Sequence, residues 1–567
     1  MKKFISVLLT VLMLFSVCST AVFAIGDIGT ETSSIQVHTS RSQVPVIRIL
    51  GDGEALYNEK QEKIVHIRSL TFGSASKDDE DSDLMGSVAN ILLPFLIDGL
   101  LNDEWDAYYE NLQNEISEIF SEIRLNEDGE VSNKTGISEA RKAEMANYLS
   151  ESYNKQIKKR GYYQINDYRF WYDWRLDPLY TADLLNDYIE AVKKATGCDK
   201  VSIMASCLGT IVTTTYIAKY GTDDLYGVGF TGSVSGGAEA LSEAISGKFD
   251  VDGYAITRTL IDSDYVGEFN VDKFVTSSIE LLAAAGVFKY LKEGVKETLY
   301  AKLVEGVTSA LALSTLFTFP TYWAAVSKDD YDDALKYVFG PEGSEKRETY
   351  AGLIEKIENY NTTVRKNYDT IIKSISTEEN KVRFGAVSKY GFQILPICQS
   401  YDILADQFVS VNHSSLGATT STIFDTLSDD YINERIAKGF GDYISPDKKI
   451  DASTCAYPES TWFMKNVSHS EYTAFERKLL YDVITAPGDT VITCGYTTPE
   501  GLTYSRFLVY DYETDIMSTM TEENCNTENW DANEGLEKPQ TVFERVFAFL
   551  KAFLNWIVEL FNFMEKK

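Results

Sequence analysis

The chain has 567 residues, 44% of them hydrophobic and 24% charged, so it is long enough to bury one large core or several ordinary ones. Lys+Arg 53 against Asp+Glu 85 gives a formal net charge of −32. A surface that acidic repels phosphate backbones, which excludes nucleic acid as the expected partner.

Residues 1–24 read as a cleaved secretory signal peptide: Lys2 and Lys3, an apolar run, then small residues ending at Ala24. Cys18 invites a lipoprotein reading, but Val17 before it is larger than the small residue such sites carry. The expected location is outside the cell or on its surface. Beyond the leader stand Cys198, Cys207, Cys398, Cys455, Cys494 and Cys525, an even number that permits disulfides there, with Cys455 and Cys494 as one pairing. No CxxC or paired spacing points to a metal, and no cofactor is expected.

Residues 25–42 are polar, a flexible arm. Residues 44–50, "VPVIRIL", form a β-branched run entering Gly51-Asp52-Gly53, the pattern of a first core strand and its turn. Residues 64–67 suggest another strand. Residues 76–83 are an acidic loop without the alternating ligand spacing of an EF-hand, so a solvated charge run. Helical spacing of apolar residues predicts helices over 103–125 and 138–158. A strand-like stretch follows at 169–175, then a helix at 181–196, a strand at 200–204, a helix at 210–220 and a strand at 226–231. Strands alternating with helices predict an α/β fold with a mostly parallel sheet and helices on both faces.

Residues 238–382 break this rhythm with a long helical pattern, an inserted cap. The apolar stretch 307–326 within it carries Ser309, Ser314, Thr315 and Pro320, which argues against a membrane span. Strand character resumes at 391–398, a helix follows at 472–485, and strands are expected at 490–496 and 503–510. The implied organisation is a core in two parts, 43–237 and 383–486, a small β-rich appendage at 487–524, a linker at 525–540 and an amphipathic helix at 541–567. In that last segment, from Val542 to Met564, polar residues occupy one narrow face, so its apolar faces need a partner helix, a membrane surface or its own domain.

The chemistry centres on residues 200–210, "KVSIMASCLGT". A short apolar strand running into a helix through a small-x-nucleophile-x-small turn is the shape of a nucleophile elbow. Ala205 and Gly209 take the two small positions only if the central residue is Cys207; centring on Ser206 would put Met204 and Leu208 there. The oxyanion hole would draw one N–H from Leu208, at the positive end of the helix, and one from Asp52 or Gly53. A helix N-terminus and a nearby histidine lower a thiol's pKa, which activates it.

"YDWRLDP" at 172–178, upstream of such an elbow, resembles the lecithin:cholesterol acyltransferase family, a lipase-like branch of the α/β-hydrolases. Residues 44–57 resemble that family's first strand and oxyanion loop, 232–237 ("GSVSGG") its G-x-P-W-G-G turn, and 319–323 ("FPTYW") its cap. The resemblance spans roughly 44–486. It implies an α/β-hydrolase fold with a large helical lid, and a nucleophile–acid–histidine order. Family members carry serine where this chain has Cys207, histidine where it has Ser206, and Pro-Trp where it has Val234-Ser235. Dienelactone-hydrolase-like enzymes are similar in using cysteine on this fold.

Of four histidines, His38 and His66 precede the elbow and His413 lies close behind the expected acid loop. That leaves His469, between an apolar run and a helix, as the base. The acid should lie after the 391–398 strand, where Asp402 and Asp406 stand. The family's acid directly precedes a β-branched segment and a Ser/Gly stretch, which selects Asp406, with Asp402 the alternative. The expected function is a secreted acyl-ester hydrolase or acyltransferase acting on lipid or other hydrophobic esters through a Cys207-His469-Asp406 triad and a covalent acyl-enzyme. The alternative is a hydrolase-like protein that binds apolar ligands at the cell surface without turnover, Cys207 being a small buried hydrophobe. The Asp173–Arg175 pair is expected to fix a strand end around a buried aromatic.

Overall fold

The computed structural model describes residues 42–51, 55–64, 104–249, 306, 309–394, 398–499, 501–511, 514 and 516–525. The expected leader, nearly all of the arm, the 76–83 loop, Asp52, Gly53, residues 250–305 of the expected cap and the C-terminal helix lie outside them.

An eight-stranded sheet organises these residues: β1 (Val46–Ile49), β2 (Tyr168–Arg169), β3 (Val201–Ser206), β4 (Leu225–Thr231), β5 (Arg383–Tyr390), β8 (Thr461–Lys465), β9 (Phe507–Asp511) and β10 (Ile516–Thr519). The spatial order is β10-β9-β8-β5-β4-β3-β1-β2, while β6 (Thr419–Thr420) and β7 (Ile450–Asp451) make a separate two-stranded ribbon. All neighbours in the large sheet run parallel except β9 with β10, and the register places Ile49 beside Ala205, Ser206 beside Thr231, and Tyr390 beside Lys465. The architecture is α/β.

Both faces are covered, and the alternation along each strand says how. Val46 and Met204 pack with Leu479, Leu480, Val483 and Ile484, on the helix Ala474–Thr485. Ile47, Ile49, Ile203 and Ala205 point the other way, into a cluster with Leu185, Ile189 and Val192 of Pro178–Thr196. Labelled in chain order, α1 is Pro178–Thr196, α2 Leu208–Tyr220, α3 Glu239–Ser246 and α4 Ala474–Thr485. The chain leaves β1 for β2 on one side and returns to β3 on the other. In such sheets the crevice at the carboxyl ends of the two diverging strands is where ligands bind.

Several boundaries depart from expectation. The strand expected at 391–398 is instead β5, directly upstream, because Gly391 (φ +115) ends it. Ser388 and Lys389, both buried, disguise that run as a surface segment. The helix expected over 138–158 is two, Glu139–Tyr148 and Glu151–Arg160, divided where Ser150 accepts the Tyr153 N–H as an N-cap. Residues 490–496 form no strand, while β9 and β10 extend the main sheet from β8 rather than standing apart as an appendage.

The described residues between β4 and β5 are helical and include no strand of the sheet. They dock on the "YDWR" segment. Trp174 stacks on Tyr322 (centroids 5.9 Å, 21°) and meets Phe319 edge-on at 5.7 Å, and Thr321 donates to the Leu176 carbonyl. Arg175 is fully buried, paired with Asp173 at 2.6 Å and donating to the carbonyls of Ile123 (2.8 Å) and Thr135 (3.4 Å). Tyr172 donates to the Leu50 carbonyl at 2.8 Å, fixing the chain just beyond β1.

α4 lies hard against β4: a Cβ at Gly227 would stand 2.3 Å from the Ile484 carbonyl oxygen. Gly227→Ala is therefore expected to lose about 1–3 kcal/mol of stability, as overpacked cores do, read as a lowered urea midpoint.

Candidate active site

β3 ends at Ser206, and Cys207 turns the chain at φ 49, ψ −126, a conformation that strains any side-chain-bearing residue. Its neighbours hold it there. The Cys207 N–H donates to the Thr231 carbonyl at 3.3 Å, and its own carbonyl accepts Thr210 N–H (2.9 Å) and Oγ1 (2.6 Å). A Cβ at Gly209 would lie 2.4 Å from the Ile49 carbonyl oxygen, so α2 can start this close to β1 only through glycine. Ser206 stays in the strand, and Cys207 occupies the turn. Leu208 opens α2, so its N–H is one of the four at a helix start that lack an intrahelical acceptor.

Asp406 lies in the loop that follows β5 and is fully buried. Its Oδ1 accepts the N–H groups of Phe408 (3.1 Å) and Val409 (2.9 Å), a tight turn made possible by Gln407 at φ +87. Its Oδ2 lies 2.8 Å from His469 Nδ1, and its carbonyl accepts the His469 N–H at 2.8 Å. Asp402 is half-buried, accepts Ile423 N–H through its carbonyl and has no part in the histidine's bonding. Of the two aspartates, Asp406 is the one joined to His469.

His469 follows β8, its side chain only 2% exposed. The Phe408 ring packs against it at 4.9 Å. On the other side stands Gly232, where a Cβ would be 3.1 Å from Cε1 and 3.3 Å from Nδ1. Gly232 follows Thr231, the residue that accepts the Cys207 amide, so the Cys207 turn and the imidazole rest on adjacent residues at the end of β4. His469 Nε2 is buried and makes no hydrogen bond, so the thiol–imidazole bond is not formed here. The turn at 232–237 is tied back to α2 through Val234 N–H to Thr210 Oγ1 (3.2 Å). Asp52 and Gly53 lie outside the described residues, so Leu208 is the only expected oxyanion donor whose position is known.

No disulfide joins the cysteines at 198, 207, 398, 455, 494 and 525, so the pairing of Cys455 with Cys494 is not formed. Burial raises those two to about 11 and about 12. Among the described residues no group of three or more His, Cys, Asp or Glu could hold a metal ion, and no helix is long and apolar enough to cross a membrane.

Sequence reasoning missed two charge pairs beside the site. Glu239 of α3 bonds His413 at 2.8 Å, and Lys389 of β5 lies 3.4 Å from Glu476 of α4, which also accepts the Thr231 hydroxyl. Partners so far apart in the chain leave no spacing signal. The only hint was lysine and glutamate inside otherwise apolar runs.

Gly232→Ala would push a methyl into the imidazole at a positive φ. On the acyl-transfer reading proposed below, it is expected to slow alkylation of Cys207 by iodoacetamide at neutral pH by roughly tenfold, because the imidazole that would take the thiol's proton is displaced, with cooperative unfolding retained. Comparison with protein-family models, with curated proteins and with solved structures returns no match.

Proposed function

We propose that the protein is an α/β-hydrolase-fold acyl-ester hydrolase or acyltransferase that works through a Cys207-His469-Asp406 triad. The observation carrying this reading is the buried Asp406–His469 pair, with Nε2 unengaged, sharing the end of β4 with a strained cysteine at a strand-to-helix turn. Order along the chain supports it too: nucleophile after β3, acid after β5, histidine after β8.

In this mechanism Asp406 holds the proton on Nδ1, leaving Nε2 as the basic nitrogen. Nε2 takes the Cys207 proton as the sulfur attacks the ester carbonyl carbon. The Leu208 N–H, at the positive end of α2, faces the charge that develops on the carbonyl oxygen. The tetrahedral adduct collapses to a thioester, and the imidazolium returns its proton to the departing alkoxide. Water, or a second alcohol in the acyltransferase case, then loses a proton to Nε2 and attacks the thioester, freeing the thiol. The open Nε2–sulfur contact is compatible with this, since such bonds often tighten only with substrate bound. The helical segment between β4 and β5 would be the lid and acyl pocket, with a hydrophobic ester as substrate. The segment from Val542 to Met564 would supply membrane-surface or partner-helix contact outside the cell.

A panel of p-nitrophenyl esters of increasing chain length tests this on the full chain. Cys207→Ala and His469→Ala should abolish turnover. Asp406→Asn should cost roughly ten thousandfold in kcat, by presenting an amide N–H where the imidazole needs an acceptor. Turnover by all three variants equal to the native chain would sink the reading. Apolar-ligand binding without turnover, unchanged in Cys207→Ala, would establish the binding-protein alternative.

A further inference from the structure

Glu239 is the first residue of α3, two positions past the turn on which the His469 imidazole rests. Its carboxylate crosses to the acid loop. Oε1 lies 2.8 Å from His413 Nδ1, and Oε2 accepts the Ser410 N–H at 2.8 Å. Beside it the Ala240 N–H donates to the Phe408 carbonyl at 3.4 Å. Three bonds from one helix start thus hold residues 408–413. That short stretch also supplies both N–H groups on Asp406 Oδ1 and the ring packed against His469. The Glu239 side chain is 12% exposed and that of His413 27%, so the pair is drawn substantially out of water, where a carboxylate needs a charge partner.

We infer that Glu239 and His413 are positioning residues: their ion pair clamps the Asp406 loop to the turn beneath the His469 imidazole and so sets the geometry of the triad. Its effect on turnover rests on the acyl-transfer reading above.

The groups facing His413 are Glu239 from α3 and Asp329 and Asp330 from the turn before the helix Tyr331–Phe339, with the Ser410 hydroxyl 3.4 Å from Nδ1. Asp330 is itself engaged by Lys248 at 2.6 Å and by Ser242 and Ser327. Burial works to lower the His413 pKa, but Glu239 first, then the two aspartates, outweigh it and the net shift is upward. Burial works to raise Glu239, and His413 with Ser410 reverses it to a net lowering. A raised histidine contributes below its folded pKa and loses that contribution as pH rises through it. A lowered carboxylate contributes until pH falls through its folded pKa. The clamp is therefore closed between those limits and opens on the alkaline side when His413 gives up its proton.

The test uses the full chain as native protein, Glu239→Gln, His413→Gln and, as a control, Asp402→Asn. Each is assayed for p-nitrophenyl butyrate hydrolysis and for iodoacetamide alkylation of Cys207 by mass spectrometry, across pH. Glu239→Gln should lower kcat, and the alkylation rate near neutrality, by roughly tenfold to a hundredfold, the scale of a small misplacement of a catalytic group, with KM within about twofold. His413→Gln, which carries no charge at any pH, should erase an alkaline decline in kcat that the native chain and Asp402→Asn display. Glu239→Gln profiles that superimpose on the native ones in both assays overturn the clamp. If Glu239→Gln does not fold, His413→Gln decides: an alkaline limb unchanged from the native chain overturns it. A native chain that hydrolyses the ester no faster than Cys207→Ala removes the acyl-transfer reading instead, and the alkylation profiles then judge the clamp alone.

Discussion

The upper edge of the sheet depends on a contact too close for a methyl group, the approach of Gly209 to the Ile49 carbonyl oxygen. Because α2 starts so near β1, residue 207 must reverse the chain in a single step, at a backbone geometry that favours no side chain. Strain of that kind costs of order 1–3 kcal/mol and persists only where the surroundings over-determine it. Here they do: the amide of Cys207 is held by β4 and its carbonyl twice by Thr210. Cys207 is thereby held in the turn between β3 and α2, at the carboxyl end of its strand.

Parallel register does the rest. Because β3, β4, β5 and β8 run in the same direction, the loops leaving them emerge on one side. Cys207, Gly232, Asp406 and His469 come from four such exits. Beneath them charge is buried in pairs. Lys389 and Glu476 are almost wholly enclosed on the α4 face, and Arg175 with Asp173 on the side where the β4–β5 helices dock. Pairs like these add little net stability, since desolvation offsets attraction, but removing one partner strands a charge. They tie α4 to β4 and β5, and they tie residues 123–135 to the segment after β2.

Much of this was legible in the chain. Spacing alone placed the turn at Cys207 rather than Ser206, since only that choice leaves small residues on either side. The alternation of β1 and β3 with helices was readable because Val46, Ile47 and Ile49, and Val201, Ile203, Met204 and Ala205, put apolar side chains on both faces despite Arg48 and Ser202. β5 was misplaced because Lys389 and Ser388 sit inside it, and a buried lysine looks like a surface residue until its carboxylate partner is known. The break at Ser150 was invisible because apolar spacing continues across it, and only the capping hydroxyl betrays it. Asp406 was separated from Asp402 by resemblance, while what distinguishes them physically is the turn of N–H groups around one carboxylate. No pattern of spacing joins Glu239 to His413.

Asp406 also decides which side of the imidazole is already taken. Its Oδ1 is filled by two backbone N–H groups and its Oδ2 by the imidazole, with no exposed surface. With Gly232 and Phe408 on its flanks, the His469 ring has one nitrogen bound to Asp406 and the other buried without a hydrogen bond. Nδ1 is thereby committed to the carboxylate, between a ring on one side and a glycine on the other. With both carboxylate oxygens of Asp406 engaged, Nε2 is the ring nitrogen of His469 still able to take a further partner.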